Sequence, residues 1–337
     1  MSDEENSPRG ARRGKRARSS GAASLLAPSE ASGDYDTFQF SQTDNASRPF
    51  HAGDDCELRK PKTIHDRLYG SITVPGLLMA VMDTPEFERL DRVSQLGGSS
   101  VVYPSAHHTR KEHSLGVAYI AGQVVTHLKR LQPELCLDES DRLCVMLAGL
   151  GHDLGHGPYS HMWEQFIKQA TGRKEGHEDM SLQLLRRIGN KLPLAAYLDC
   201  SEEEAETHLN FACKLIEGLR DDEAMPDDIG RSETKRFLFD IVANSRSGID
   251  VDKLDYLPRD SLSAFGGTAL HKWKRIIDAS RVVKYDGTYQ IAFEDKMVPD
   301  INVRAARGRR HAPHRSPRRT SLASARRCTA SCTSTAW

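Results

Sequence analysis

Between Leu150 and His161 the chain carries His152, Asp153, His156 and His161 among three glycines and Pro158. Imidazole and carboxylate together are the ligand set of a borderline divalent metal, and glycines let backbone come close to a ligand. Two further positions join this stretch by periodicity. His113 falls in the first turn of a predicted helix, on the inward face shared with Val117 and Ile120. Asp252 opens a second predicted helix on which Asp252, Tyr256 and Asp260 share a face at i, i+4 and i+8. An isolated inward histidine is usually a satisfied core residue, and a His-Asp pair alone occurs by chance. The combination of His113, His152, Asp153 and Asp252 with a glycine-histidine loop is specific. Two imidazoles and two carboxylates neutralise a divalent cation and suit Fe, Mn, Zn, Co or Ni better than Ca or a lone Mg. Such an ion acidifies water and polarises a phosphoryl oxygen, which is hydrolytic chemistry at phosphorus.

The surrounding residues fit the same chemistry. His156, His161 and His177 can contact phosphate oxygens or protonate a leaving alkoxide. Glu164 lies one helical turn after His161, where it can orient that ring. Arg110, Lys253 and Arg259 supply positive charge for an anionic substrate.

The elements that must position these groups are mostly helical. Ile120, Val124, Leu128 and Leu131 extend the helix of His113 until Pro133. An apolar helix from Asp141 to Leu150 presents His152 and Asp153 at its C-terminal end, and an amphipathic helix over Met162–Ala170 carries Glu164. Thr84-Pro85 reads as the start of a helix through Phe87, Leu90 and Val93 that closes at Gly97-Gly98. Val101 to Pro104 reads as a short extended piece, and Ala205 to Leu219 as a helix. A small hairpin is expected around Tyr69-Gly70, and a second about Asp286-Gly287. Residues 1–56 and the segment from Val298 onward lack any apolar period and are expected to be disordered tails around a domain at 57–297.

Composition sets the outer bounds. The 337 residues are 38% hydrophobic and 28% charged, and no apolar run is long enough to cross a bilayer. Seven cysteines form no Cys-x-x-Cys pair and read as reduced thiols of an intracellular protein, with Cys144 and Cys213 in the core. The formal net charge is zero, yet nine arginines lie between Arg304 and Arg327 with no acid after Asp300, so the remainder sums to minus nine. The Arg12 to Arg18 cluster is of nuclear-import type, which places the protein in the nucleus or cytoplasm; a solvated charge run explains it equally well.

At His113, His152-Asp153 and Asp252 the chain resembles the HD phosphohydrolase superfamily. Gln95-Leu96-Gly97-Gly98, Glu112 to Val117, Gly149 to Pro158 and Gly248 to Lys253 narrow the resemblance to the eukaryotic sterile-alpha-motif and HD-domain deoxynucleoside triphosphate triphosphohydrolases. It covers roughly Lys62 to Glu294. It implies an all-α, mainly helical core with small β-hairpins, cleaving dNTP to deoxynucleoside and inorganic triphosphate in a nucleotide-activated homotetramer. By the same resemblance, His113, His152, Asp153 and Asp252 hold an Fe, Zn or Mn ion, and Mg accompanies the substrate phosphates. His161 with Glu164 protonates the leaving 5′-oxygen, while His156 and His177 serve the phosphates and a second metal's water. Arg110 and Lys253 bind phosphate; Gln95, Tyr256 and Asp260 read the deoxyribose. Lys62 and Asp83 match the activator site.

The chain also departs from that pattern. Glu164 stands where the family has Asp, and Asp91 where the activator site has Arg. Pro258, between Tyr256 and Asp260, predicts a cost of about 3 kcal/mol or a kink. No sterile-alpha-motif domain is expected ahead of the core. An arginine-serine-rich tail replaces pocket-completing helices, as a shifted reading frame or alternative exon would. The alternatives are therefore an HD phosphohydrolase acting on another nucleotide, or an inactive regulator binding nucleotide, or nucleic acid through its basic tails.

Overall fold

The computed structural model describes residues 60–173, 175–267 and 273–298. The chain divides into two units, Met1–Pro49 and Phe50–Trp337, and every described residue belongs to the second. The Arg12 to Arg18 cluster and the nine tail arginines lie outside the described residues.

Strand β1 (Lys62–Asp66) pairs antiparallel with β2 (Gly70–Val74), with Ile64 opposite Ile72. Asp66 closes the turn by accepting from the Leu68 and Tyr69 amides at 2.7 and 3.1 Å. Helices α1 (Gly76–Met82) and α2 (Pro85–Glu88) follow. Thr84 caps α2 as expected, accepting from the Phe87 amide at 3.4 Å. The helix then tightens into a 3₁₀ turn over Arg89–Arg92, and Val93 is extended, so it is shorter than its apolar spacing predicts. The expected strand at Val101–Pro104 is also corrected: Gly97–Val101 is a 3₁₀ turn, and Val101 and Val102 are exposed. β-branched residues favour strands only where a neighbouring strand covers them, and here no described strand does.

The centre is α3 (Arg110–Leu131) packed on α4 (Glu139–Gly151), with α8 (Glu202–Glu217) on the far side of α4. Helix α4 buries every position from Leu143 to Gly151, the pattern of a helix enclosed on all sides. Asp138 and Asp141 fix its start through a reciprocal capping box, with bonds of 2.8 and 3.1 Å. Between them in sequence, α5 (His161–Thr171) carries no buried residue, whereas α6 (His177–Gly189) packs on α8, as does the short α7 (Leu194–Leu198).

Helix α9 (Phe239–Val242) precedes α10 (Val251–Phe265), which lies against α3. The Asp250 side chain caps α10, accepting from the Lys253 amide at 2.9 Å. Helix α10 runs continuously through Pro258. Proline's fixed φ is itself helical, and the cost of about 3 kcal/mol is offset by burying Leu254, Asp255, Leu257 and Arg259 around it. Helix α11 (Trp273–Asp278) leads to β3 (Ser280–Tyr285) and β4 (Thr288–Phe293), a hairpin turned at Asp286-Gly287 with φ of 49° and 79°. Positive φ at both turn residues is the type I′ geometry that Asp-Gly favours.

Helices α3 and α10 approach so closely at Gly116 that a Cβ there would collide with Asp255 Oδ1 and Arg259 Nη2. Both atoms are buried and bonded to each other, so neither can move aside. Gly116→Ala should therefore cost about 3 kcal/mol or more in urea unfolding; an unchanged midpoint would show that the helices part freely here.

Candidate active site

The enclosed end of α4, the first turn of α3 and the first turn of α10 meet at one place. His113 Nε2 lies 3.0 Å from Asp252 Oδ1 and 3.6 Å from Asp153 Oδ2. His152 Nε2 lies 3.5 Å from Asp153 Oδ1 and 3.6 Å from Asp252 Oδ1. Thus the structure brings together all four residues that the sequence singled out as metal ligands. The other nitrogen of each ring is anchored. His152 Nδ1 donates to the Gly149 carbonyl at 2.8 Å, and His113 Nδ1 meets Asp255 Oδ2 at 2.7 Å. Both Nε2 atoms therefore face the carboxylates, and His152 Nε2 is buried with no hydrogen-bond partner. This donor set fits a divalent ion. The anchored second nitrogens are the usual support of metal-binding imidazoles.

Charge at this point is intense. Burial opposes ionisation of Asp153, but Arg110, His152 and His156 hold it well below the usual carboxylate range. Burial likewise opposes a charged His113, yet Asp252 and Asp255 outweigh it and push the ring up to about 10. A metal ion would compete with that proton for Nε2. Arg110, read as a phosphate ligand, is itself buried and paired with Asp153 Oδ2, and its Nε donates to Ser160 Oγ at 3.2 Å.

A second cluster adjoins the first. His156 Nε2 is 3.3 Å from Asp153 Oδ1, and the His156 ring stacks on His177 at 3.9 Å. Glu164 Oε1 lies 3.6, 3.5 and 2.7 Å from Nδ1 of His156, His161 and His177. Burial raises the Glu164 pKa, but contact with His161 and His177 lowers it further, so the carboxylate stays charged. The loop that brings these groups round is strained: Tyr159 and Ser160 have φ of 60° and 55°, in the region that favours glycine. Such residues cost on the order of 1–3 kcal/mol. Here Ser160 Oγ holds the turn by donating to the Ser94 carbonyl at 2.9 Å. A close approach also explains Gly155, where a Cβ would strike the His177 carbonyl.

The remaining expected site residues are placed less uniformly. The Tyr256 ring lies 6.5 Å from that of His113, and Asp260 Oδ1 meets His108 Nε2 at 2.8 Å. Gln95 Oε1 is buried without a partner. Lys253 Nζ is tied to Asp250 Oδ2 at 2.8 Å. Lys62 is exposed on β1, and Asp83 is exposed at the end of α1. Arg259 must be corrected: it is only 1% exposed and locked to Asp255 and Asp66, so it is structural rather than a substrate cation. Sequence reasoning missed Asp255, which braces His113, and His108, which holds Asp260. The one signal for Asp255 was an acid three residues after Asp252, one turn along the same helix. Ser181 was also missed; its hydroxyl donates to the His152 carbonyl at 2.7 Å and accepts from the Gly155 amide at 2.8 Å.

Residues 110–260 match the HD domain, a span that contains all four candidate ligands. The chain carries an HD domain over that span. An HD domain implies a divalent metal bound by His and Asp residues, and His113, His152 and Asp153 form a group that could hold one. The chain is 40% identical over 245 residues to the deoxynucleoside triphosphate triphosphohydrolase SAMHD1 of Homo sapiens, covering 71% of this chain and 39% of that protein. A homologue of Dictyostelium discoideum is 38% identical over 226 residues, covering 67% of this chain and 40% of its own length. An HD domain-containing protein of Acanthamoeba polyphaga mimivirus is 33% identical over 206 residues, covering 58% of this chain and 41% of its own. The chain thus spans about two fifths of the length of the curated relatives it matches. Among the described residues, no helix is long and apolar enough to cross a membrane.

The HD-domain site carries a pH signature. Burial pushes the His156 imidazole down to about 4, against the opposing field of Asp153. Its folded pKa lies below the unfolded value of about 6.5, so its contribution to stability is complete above that value. It is lost as pH falls toward 4, at up to about 1.4 kcal/mol per pH unit. In chelator-treated protein, NMR should show His156 still neutral at pH 5.5; a midpoint near 6.5 would mean that water reaches the ring.

Proposed function

We propose that this chain is a metal-dependent phosphohydrolase that cleaves a deoxynucleoside triphosphate to deoxynucleoside and inorganic triphosphate. The observation carrying this reading is the juxtaposition of two clusters. A His113, His152, Asp153 and Asp252 donor set sits beside a histidine group, joined to it through Asp153 and His156 at 3.3 Å. An Fe, Zn or Mn ion in the first set supplies Lewis acidity, acidifying water and polarising the phosphoryl oxygen under attack. Phosphoester cleavage also needs a proton for the departing 5′-oxygen. His161 suits that role. Its side chain is 57% exposed and open to a ligand, while Glu164 at Nδ1 orients the ring and leaves Nε2 to carry the proton.

The other residues bind and orient. Arg110 and Lys253 bring positive charge to the phosphate side, and each would exchange its present carboxylate partner for phosphate oxygens. His177 and His156 line the same side. Gln95 Oε1, buried and unpartnered, is an acceptor for a sugar hydroxyl. Tyr256 and Asp260 lie on the face of α10 that continues from Asp252 and complete the sugar subsite. Mg would accompany the triphosphate. The names of the relatives in Homo sapiens and Dictyostelium discoideum support a dNTP as substrate. Lys62 and Asp83 are the candidates for an activating nucleotide. A homotetramer and a nuclear address remain part of the proposal.

Incubating the purified chain with each dNTP plus Mn or Mg should release inorganic triphosphate. His152→Ala should abolish release, and His161→Ala should slow it about 10²–10⁴-fold. Release that survives His152→Ala would overturn the assignment of the site.

A further inference from the structure

We propose that Tyr69, in the turn of the first hairpin, is a positioning residue for the proposed metal site: its hydroxyl fixes Asp255, and Asp255 fixes His113. The inference rests on the reading of His113 as a metal ligand. Tyr69 Oη donates to Asp255 Oδ1 at 2.6 Å, and His113 Nδ1 meets Asp255 Oδ2 at 2.7 Å. The two oxygens of one carboxylate thus join the hairpin to the imidazole. On the far side of the ring, His113 Nε2 faces Asp252 Oδ1 at 3.0 Å and Asp153 Oδ2 at 3.6 Å.

Asp255 cannot hold a ring steady unless it is itself held. Its other partner, Arg259, stands one turn further along α10 and binds both oxygens, through Nε at 2.8 Å and Nη2 at 2.9 Å. Carboxylate and guanidinium therefore ride on one helix, free to turn together. Beyond His113, the closest polar contacts that tie this pair to other described elements come from the hairpin. Tyr69 takes the carboxylate, and Asp66 Oδ2 lies 2.9 Å from Arg259 Nη1. Arg67, in the same turn, spans the two helices. Its Nη2 donates to Glu112 Oε2 of α3 at 3.0 Å and to Ser263 Oγ of α10 at 3.2 Å. Glu112 directly precedes His113. One tight turn thereby sets the His113 end of α3 against α10.

The Tyr69 ring does not need its hydroxyl to stay in place. It packs against Tyr119 of α3 and Trp273 of α11, with centroids 5.2 and 5.4 Å apart. The hydroxyl is a directional donor on a ring that aromatic contacts already seat, so removing it changes the aim of Asp255 more than the packing. An imidazole ligand owes part of its metal affinity to the carboxylate behind it, and losing such a support costs about 10–100-fold. Tyr69 stands one hydrogen bond further out, which places its effect at the lower end of that range.

The test reads metal binding alone, so it can fail without touching the dNTP reading. Tag-free full chain is stripped with chelator and titrated with Co²⁺ against a chromophoric competitor, with urea midpoints measured alongside. The site scored is the one that His152→Ala removes. Tyr69→Phe, which keeps the ring, should raise the Kd for Co²⁺ about tenfold. Trp273→Phe, which loosens the same aromatic contact and leaves Asp255 its donors, should lower the urea midpoint with the Kd unchanged. Wild-type affinity in Tyr69→Phe would overturn the proposal, as would an equal loss in Trp273→Phe. Should Tyr69→Phe not fold, ¹³C-tyrosine NMR of the wild type decides. Linkage is reciprocal, so Zn²⁺ loading should move the Tyr69 ring resonance, and an unmoved resonance would overturn the proposal. A wild type that takes up no Co²⁺ would overturn the metal reading and this inference with it.

Discussion

Asp255 is fully buried and accepts four hydrogen bonds: from Tyr69 Oη at 2.6 Å, His113 Nδ1 at 2.7 Å, and Arg259 Nε and Nη2 at 2.8 and 2.9 Å. These partners come from the first hairpin, from α3 and from the next turn of α10. Desolvating a carboxylate costs several kcal/mol, and only a complete set of donors makes that burial tolerable. Burial raises its pKa, but Arg259 and His113 bring it down to about 2, so it is an anion at any physiological pH. Arg259 carries the constraint onward to Asp66 at 2.9 Å, the residue that closes the β1–β2 turn. The hairpin, the ligand-bearing end of α3 and the start of α10 are thereby fixed by one charge network. Its geometry requires Gly116.

The same logic of partly compensated charge organises the site. Asp153 stands between Arg110, His113, His152 and His156, and its ionised state follows from that surrounding positive charge. A buried group with this many cationic neighbours exchanges partners readily when a dication arrives, because the ion replaces several weaker attractions at once. Asp252 is comparably placed between two imidazoles, which hold it below its usual range despite burial. The two carboxylates therefore keep both Nε2 atoms oriented toward one point. Such preorganisation makes a candidate metal site out of residues far apart in sequence.

What the sequence disclosed follows from how each signal arises. The candidate ligands were legible because His152-Asp153 ends an apolar helix and because His113 and Asp252 fall on periodic faces. Helical periodicity reports which side chains point inward, and the structure agrees at all three helices. The cap at Thr84 and the Asp-Gly turn were legible for a similar reason: their chemistry is local. Val101 to Pro104 misled because β-branched composition says nothing about whether a partner strand exists. Pro258 signalled only its local cost, because the tertiary packing around it is not written in the spacing. Arg259 and Asp255 were unreadable as a pair for the same reason. Their meaning depends on Tyr69 and Asp66, nearly two hundred residues away, and no spacing rule reaches that far.

The division of labour between α4 and α5 follows from these energetics. The donor set His152-Asp153 sits at the end of a helix enclosed on every side, with its backbone also tied through Ser181. His161 and Glu164 instead ride on α5, which buries none of its residues and leaves Met162 and Phe166 exposed. Local stability scales with buried apolar contact, so α5 opens at a lower free energy than α4. Trp163, seated against Gly157, and the strained Tyr159-Ser160 turn are its main attachments. The proposed phosphoester chemistry asks for this asymmetry. The electrophilic centre must hold its geometry to within a fraction of an ångström, whereas the group that hands over a proton must approach, release and reset with each ligand. Placing the first on the core and the second on the surface lets one fold meet both demands.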